Sequence, residues 1–272
     1  MSLFTASVTD VRPLLRDERQ DLLRLLQALP AQQWQMPSAV LGWTVKDLAL
    51  HLLDDDLGWL SRGRDKDSSG TLEMGDHESF VVALAGKNQR WIDGAQGMSG
   101  RVITELLDWS GQQMDAFYSS MDLLGEGHVS WAGDGTVPIW FDIAQDLTER
   151  WVHQMQIREA VGRVEGFAER YLAVVLRTFI WALPHQYRVV ASAGTTVQVD
   201  LAAGGAWLLV SDGLGRWSLD EGSEQAPDAR AEFTSDAAWR WFTGAALPEN
   251  GMLLQGPAEL CQPLLAVRGI LA

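Results

Sequence analysis

Cysteine is nearly absent from this chain: Cys261 stands alone among 272 residues. One cysteine allows no internal disulfide and no thiolate cluster for a metal. It lies in the apolar segment Leu260-Cys261-Gln262-Pro263-Leu264 and reads as a small buried hydrophobe rather than a nucleophile. Basic charge is also scarce, with 21 Lys and Arg against 36 Asp and Glu, a net charge of −15. Nucleic-acid binding draws most of its affinity from neutralising phosphates, so an acidic chain without a basic stripe excludes that class. The same acidity opposes adhesion to anionic membranes. No hydrophobic run is long enough to span a bilayer; the longest, Tyr171 to Leu183, carries Arg177. The first residues, MSLFTASVTDVRPLLRDERQ, have no basic start followed by an apolar core, so no signal peptide is expected and the expected location is the cytoplasm. There is no glycine-rich phosphate loop and no G-x-S-x-G element; Ser211-Asp-Gly-Leu-Gly215 reads as a hairpin turn.

What is present suffices for real cores. Hydrophobic residues make up 47% and charged residues 21%, which is an ordinary globular balance. The length exceeds the usual size of one domain, so two are expected. Tryptophan is abundant, 13 against 3 Tyr and 8 Phe. A buried Trp needs a partner for its indole N–H, so most should be core residues with one polar edge satisfied.

The chain changes character near residue 186. Before it, apolar residues recur at helical spacing. Leu14, Leu15, Leu22, Leu23, Leu25 and Leu26 mark a first helix that should end near Leu29-Pro30. Thr44-Val-Lys-Asp47 reads as a capping box that opens a second helix through Leu48, His51, Leu52 and Leu60. A polar loop is expected from Gly63 to Gly75, a third helix from Glu78 to Trp91, and a break over Gly94 to Gly100. A fourth helix follows through Val102 and Phe117. After a glycine-rich loop, the strongest helical pattern runs from Ile139 to Val161 and stops at Gly162. A last helix is expected from Gly166 to Ala182, ended by Pro184. From Tyr187 the period becomes two, with short strands at Val189-Val190, Val197–Leu201, Ala206–Val210 and Gly215–Leu219. A helix carrying Trp239, Trp241 and Phe242, a strand near Leu253 and a closing helix from Pro257 complete it. The expectation is an α+β two-domain chain, a helical bundle over 1–186 and a small α+β domain with an antiparallel sheet over 187–272.

Five histidines occur: His51, His77, His128, His153 and His185. Two of them lie inside strongly apolar helices. In Glu149-Arg-Trp-Val-His153, the carboxylate and imidazole are at i and i+4 and project from one helix face. His51, between Leu50 and Leu52, should turn toward the bundle interior. Two neutral imidazoles and a carboxylate suit zinc or a related ion while leaving positions open for water or substrate. Facing helices of bundles build metal sites in this way. Asp54 and Asp55, three and four residues after His51, are placed to orient its second ring nitrogen. The competing reading is two satisfied core histidines and no metal. Trp43, Trp59, Trp140 and Trp151 are candidates to line the pocket, with core packing the better reading for each; His77, His128 and His185 read as solvated, with His128 the one of the three placed to reach the site.

Two segments carry a resemblance. Leu41-Gly-Trp-Thr-Val-Lys-Asp-Leu-Ala-Leu-His51 resembles the N-terminal signature of the DinB-like metal-binding bundles. Thr148-Glu-Arg-Trp-Val-His-Gln-Met-Gln-Ile-Arg-Glu-Ala160 resembles the second signature of the mycothiol-dependent maleylpyruvate isomerase branch. That resemblance implies a four-helix bundle joined to a C-terminal domain similar to sterol carrier proteins. It places three metal ligands at His51, Glu149 and His153. It implies a divalent metal (zinc, with nickel and iron also suited to the set) and a low-molecular-weight thiol held as the nucleophile. In the family the thiol adds to an electrophile; for maleylpyruvate, rotation and elimination follow. Gln156 and Arg158 fall within the matching motif as residues for thiol or substrate, Gln156 nearer the metal face. No catalytic residue can be aligned from the C-terminal part. The partners implied are a small thiol and an electrophilic substrate. The alternative reading is a non-catalytic metal-binding protein whose C-terminal domain takes an apolar ligand or partner.

Overall fold

The computed structural model describes residues 2–70, 72, 77–133 and 135–269 and is α+β. The chain divides into two compact units. One comprises Val11–Met121 and Arg150–Glu165; the other comprises Met1–Asp10, Asp122–Glu149 and Gly166–Ala272.

The first unit holds α1 (Arg12–Gln27), α2 (Val45–Trp59), α3 (His77–Ala95), α4 (Gly100–Ser119) and the second half of α5 (Ile139–Val161). In α1 a proline stands in the first turn, where its missing N–H costs nothing, and Leu15, Leu22, Leu25 and Leu26 are buried. At the start of α2, Asp47 N–H donates to Thr44 Oγ1 at 3.3 Å while Thr44 N–H donates to the Asp47 carboxylate at 2.8 Å. This is the reciprocal cap the sequence expects. Beyond it, Val45, Leu48, Leu50 and Leu53 are inaccessible to solvent. α2 continues into a single π turn, Leu60–Arg64. The loop expected from Gly63 therefore begins after Arg64, and residues 71 and 73–76 of it lie outside the described residues. α3 runs through Gly94 to Ala95, because one glycine in a last turn costs only about 1 kcal/mol and does not by itself break a helix. The core of this unit joins Leu22 and Leu26 of α1, Leu48 and Leu52 of α2, Ile103 and Leu107 of α4, and Ile157 and Val161 of α5.

The second unit holds the first half of α5, α6 (Ala168–Phe179), α7 (Ala182–Gln186), α8 (Ser235–Thr243), α9 (Ala258–Cys261) and the strands. A two-residue ladder, β1 (Glu126–Gly127) with β2 (Val137–Pro138), lies where the sequence suggested only loop. Pro184 sits inside α7 rather than ending the preceding helix; in a first turn the amide it lacks would have had no partner. The main sheet consists of β3 (Thr196–Leu201), β4 (Gly205–Ser211), β5 (Trp217–Glu221), β6 (Ala229–Phe233) and β7 (Met252–Gln255), in the order β5-β4-β3-β6-β7. The sheet is mixed, not purely antiparallel: β6 pairs parallel to β3 at its centre, and the other pairings are antiparallel. Val189 and Val190, expected as a strand, lie outside the named strands; the Val189 carbonyl accepts from the Trp217 indole at 2.8 Å.

Several tryptophan edges are satisfied in the expected way. Trp241 donates to the Leu264 carbonyl at 2.9 Å, Trp207 to Gly204 at 3.0 Å and Trp91 to Leu50 at 2.8 Å. Trp131 is an exception, buried with its indole nitrogen lacking a hydrogen bond. Among the described residues no helix is long and apolar enough to cross a membrane.

Candidate functional site

α2 carries so continuous an apolar sequence that nearly every side chain on it is covered, and His51 is covered with them, at 7% exposure. On α5, His153 is covered to the same extent. The two imidazoles meet: their ring centroids lie 4.7 Å apart at an interplanar angle of 88°. At that angle the rings do not stack but meet edge to face.

Burial holds the His51 imidazole well below the usual histidine pKa, and His153 and Lys87 push the same way. His51 is therefore neutral at pH 7. Its Nδ1 is buried without a hydrogen-bond partner, and its Nε2 lies 3.5 Å from Asp55 Oδ2. A buried, unsatisfied imidazole nitrogen costs on the order of 1–3 kcal/mol. An ion at that nitrogen would remove the penalty.

His153 is oriented differently. Its Nδ1 donates to Gln156 Oε1 at 2.8 Å, one turn on along α5. An amide oxygen only accepts, so the proton sits on Nδ1 and the lone pair of the neutral ring is on Nε2. Gln156 thus acts on the His153 ring. Asp54, expected beside the His51 ring, instead pairs with Lys87 of α3, which leaves Asp55 as the carboxylate near His51.

The loop before α2 adds a wall. Met36 accepts from the Val45 amide at 3.0 Å and Ser38 N–H donates to the Trp43 carbonyl at 2.8 Å. The turn so closed sets the Trp43 ring edge-on to His51, with centroids 5.3 Å apart. The Trp43 indole donates to Gln89 of α3 at 3.2 Å. The sequence favours core packing for Trp43 over pocket lining; the structure sets it against His51. Its position two residues after Leu41 in the Gly-Trp-Thr cap segment was the available signal, whereas nothing in the sequence pointed to Gln89 or Lys87.

Glu149 lies one turn before His153 on α5, half-buried, and accepts from Gln145 at 3.2 Å. Among the described residues no three His, Cys, Asp or Glu side chains are grouped closely enough to hold a metal ion; the structure brings together the histidine pair. Arg158 is not at the pair. It donates to the Arg163 carbonyl at 3.2 Å and approaches the Asp21 carbonyl at 3.5 Å, with Gln154 Oε1 3.1 Å from it when the Gln154 amide nitrogen faces Glu18. Five residues after His153, its side chain leaves α5 on another face.

The other candidates sit as core or surface. Trp140 and Trp151 are buried and Trp59 half-buried. His128 is exposed and its backbone N–H donates to Asp142 at 3.4 Å; His185 is half-buried beside Arg188. The side chain of His77 lies outside the described residues. Cys261 is buried, and burial raises its thiol pKa, the opposite of what a nucleophile needs.

Residues 15–158 match the family model of the mycothiol maleylpyruvate isomerase N-terminal domain. A crystal structure of the mycothiol-dependent maleylpyruvate isomerase is similar in fold, with a TM-score of 0.57 at 13% identity over 94% of this chain and 95% of that one. The crystal structure of a histidine-to-alanine mutant of a mycothiol-dependent maleylpyruvate isomerase is similar with a TM-score of 0.51 at 14% identity, over the same shares. No curated protein matches the chain in sequence.

Proposed function

The chain belongs to the mycothiol maleylpyruvate isomerase N-terminal domain family, whose model covers more than half of its length, and from that premise we propose a metal-dependent enzyme that uses a low-molecular-weight thiol. In this reading a mycothiol-like thiol is the activated nucleophile for S-transfer to, or cis–trans isomerisation of, an electrophile such as maleylpyruvate. His51, Glu149 and His153 hold the divalent ion, zinc first, with nickel or iron suited to the same donors. The observation that carries the reading is the buried pair His51 and His153, one with an unpartnered Nδ1 and the other with its proton fixed on Nδ1 by Gln156. The i, i+4 spacing of Glu149 to His153 on one helix supports it as the third donor.

The chain's own residues divide the work. His51, neutral through burial, and His153, held by Gln156, present nitrogen lone pairs. Trp43 closes one side of the His51 ring and limits water there. When bound, a divalent ion supplies the positive charge that lowers a thiol's pKa. The same reading divides the chain at residue 186 into a metal-binding four-helix bundle and a sterol carrier protein-like domain.

The direct test is cobalt(II)-loaded protein titrated with low-molecular-weight thiols. A sulfur-to-cobalt charge-transfer band that grows with thiol and saturates at one equivalent is expected. A cobalt spectrum unchanged by every thiol would contradict the thiol half of the reading.

A further inference from the structure

The helical unit also holds a buried polar cluster centred on one carboxylate. Asp56 on α2 has no solvent exposure. Its carboxylate meets Arg19 of α1 in a two-pronged contact, Nη1 to Oδ2 at 2.8 Å and Nη2 to Oδ1 at 3.0 Å. Arg150 Nη2 of α5 approaches Oδ1 at 2.6 Å. Ser110 of α4 donates its hydroxyl to Oδ2, and Arg19 Nη1 also donates to the Leu107 carbonyl of α4 at 2.8 Å. One carboxylate thus ties four helices at a single point.

The cluster shares α2 and α5 with the histidine pair. Asp56 follows His51 by five residues, about 7.5 Å along α2, and Arg150 precedes His153 by three, about 4.5 Å along α5. Past His153, α5 packs Ile157 and Val161 into the apolar core and makes its polar contacts, through Gln154 and Arg158, to α1 rather than α2. Before His153 it is tied to α2 by the Arg150–Asp56 pair. Apolar contacts are non-directional and tolerate sliding, whereas the hydrogen bonds that Arg19 and Ser110 make to the same Asp56 carboxylate weaken steeply when bent. A buried ion pair is a poor source of net stability, because desolvation offsets its attraction. A gain in register between helices is the better physical account of why two arginines and an aspartate are buried together here.

We infer that Asp56, with Arg19 and Arg150, is the positioning device that sets the spacing of His51 and His153. The inference rests on the metal-site reading above, so its test carries a readout that needs no metal. The triple variant Arg19→Met/Asp56→Leu/Arg150→Met replaces the cluster with apolar groups of similar length, and Arg150→Lys keeps the charge but loses the planar fork. Zinc dissociation constants are measured by competition with a chromophoric chelator. In parallel, the nuclear Overhauser contact between the His51 and His153 ring protons is recorded in metal-free protein.

Both variants are expected to keep the parent's far-ultraviolet circular dichroism. The triple variant should bind zinc at least ten-fold more weakly and lose the ring contact, and Arg150→Lys should bind about three-fold more weakly. Arg150→Lys decides the question if the triple variant does not fold. A zinc constant within two-fold of the parent, or an intact ring contact, in the folded triple variant overturns the inference; if only Arg150→Lys folds, a zinc constant equal to the parent's overturns it. If the parent itself takes up no zinc, the metal reading falls, and the ring contact alone decides: lost in the folded variants, it supports the positioning role; retained, it overturns it.

Discussion

The imidazoles of His51 and His153 stand at right angles, 4.7 Å apart, on helices far separated in the sequence. Two buried imidazoles at this distance cannot both be protonated cheaply, since like charges in a low-dielectric site repel strongly. The arrangement favours neutral rings, and neutral rings are metal ligands.

The Gln156 contact fixes which nitrogen of His153 is available. Gln156→Leu removes the acceptor for His153 Nδ1 while keeping most of the side-chain volume. The expected outcome is a 10- to 100-fold loss of metal affinity with stability changed by less than about 1 kcal/mol, since Gln156 is half-buried. Chelator competition and urea unfolding of the same preparations check the two parts.

Much of this pair was legible before the fold was known. His51 and His153 each interrupt an apolar helical stripe, and the Thr44–Asp47 cap announces where α2 begins. Other features depend on contacts between elements and leave no local trace. Asp54 turns to Lys87 instead of His51 because α3 passes beside α2, and Trp43 faces His51 because a turn closed by Ser38 and Met36 aims it there. The parallel pairing of β3 with β6 follows from a crossover after β5, which period-two patterning cannot show. Arg158 shares a motif with His153 in sequence but not a helix face.

Glu18 gives a pH dependence with a definite sign. It is fully buried on α1, its Oε2 has no hydrogen-bond partner, and burial pushes its carboxyl up to about 8 from 4.5. The folded state then holds a proton that the unfolded state releases. The stability contributed by the protonated form is full below about pH 4.5 and is lost as pH rises toward 8. Glu18→Gln cannot ionise, so its stability relative to the parent should rise across that window by a few kcal/mol, at about 1.4 kcal/mol per pH unit at most. Urea titrations at several pH values measure the difference; a gap that stays constant with pH would contradict the assignment.

The cap of α2 should matter beyond the helix. Thr44→Ala removes the hydroxyl that accepts from Asp47 and is expected to cost about 0.5–2 kcal/mol. Because the same segment carries Trp43 to His51, tryptophan fluorescence should shift together with stability. An unchanged unfolding midpoint would show that the cap is not used.

Gly100 lies at the first turn of α4 against Trp34, where an added Cβ would fall 2.5 Å from Trp34 Cε2. Gly100→Ala must displace that buried indole, at a cost of about 1–3 kcal/mol. Thermal unfolding followed by near-ultraviolet circular dichroism, which reports the tryptophan environment, checks both the cost and its cause.

The central claim is a single divalent ion at His51, Glu149 and His153, and metal content tests it most directly. The protein is purified without an affinity tag and analysed for zinc, nickel and iron beside His51→Ala, Glu149→Ala and His153→Ala. The account predicts close to one equivalent in the parent and its loss in all three folded variants. A parent that carries no metal and takes up none on adding zinc would contradict it and leave His51 and His153 as a buried core pair.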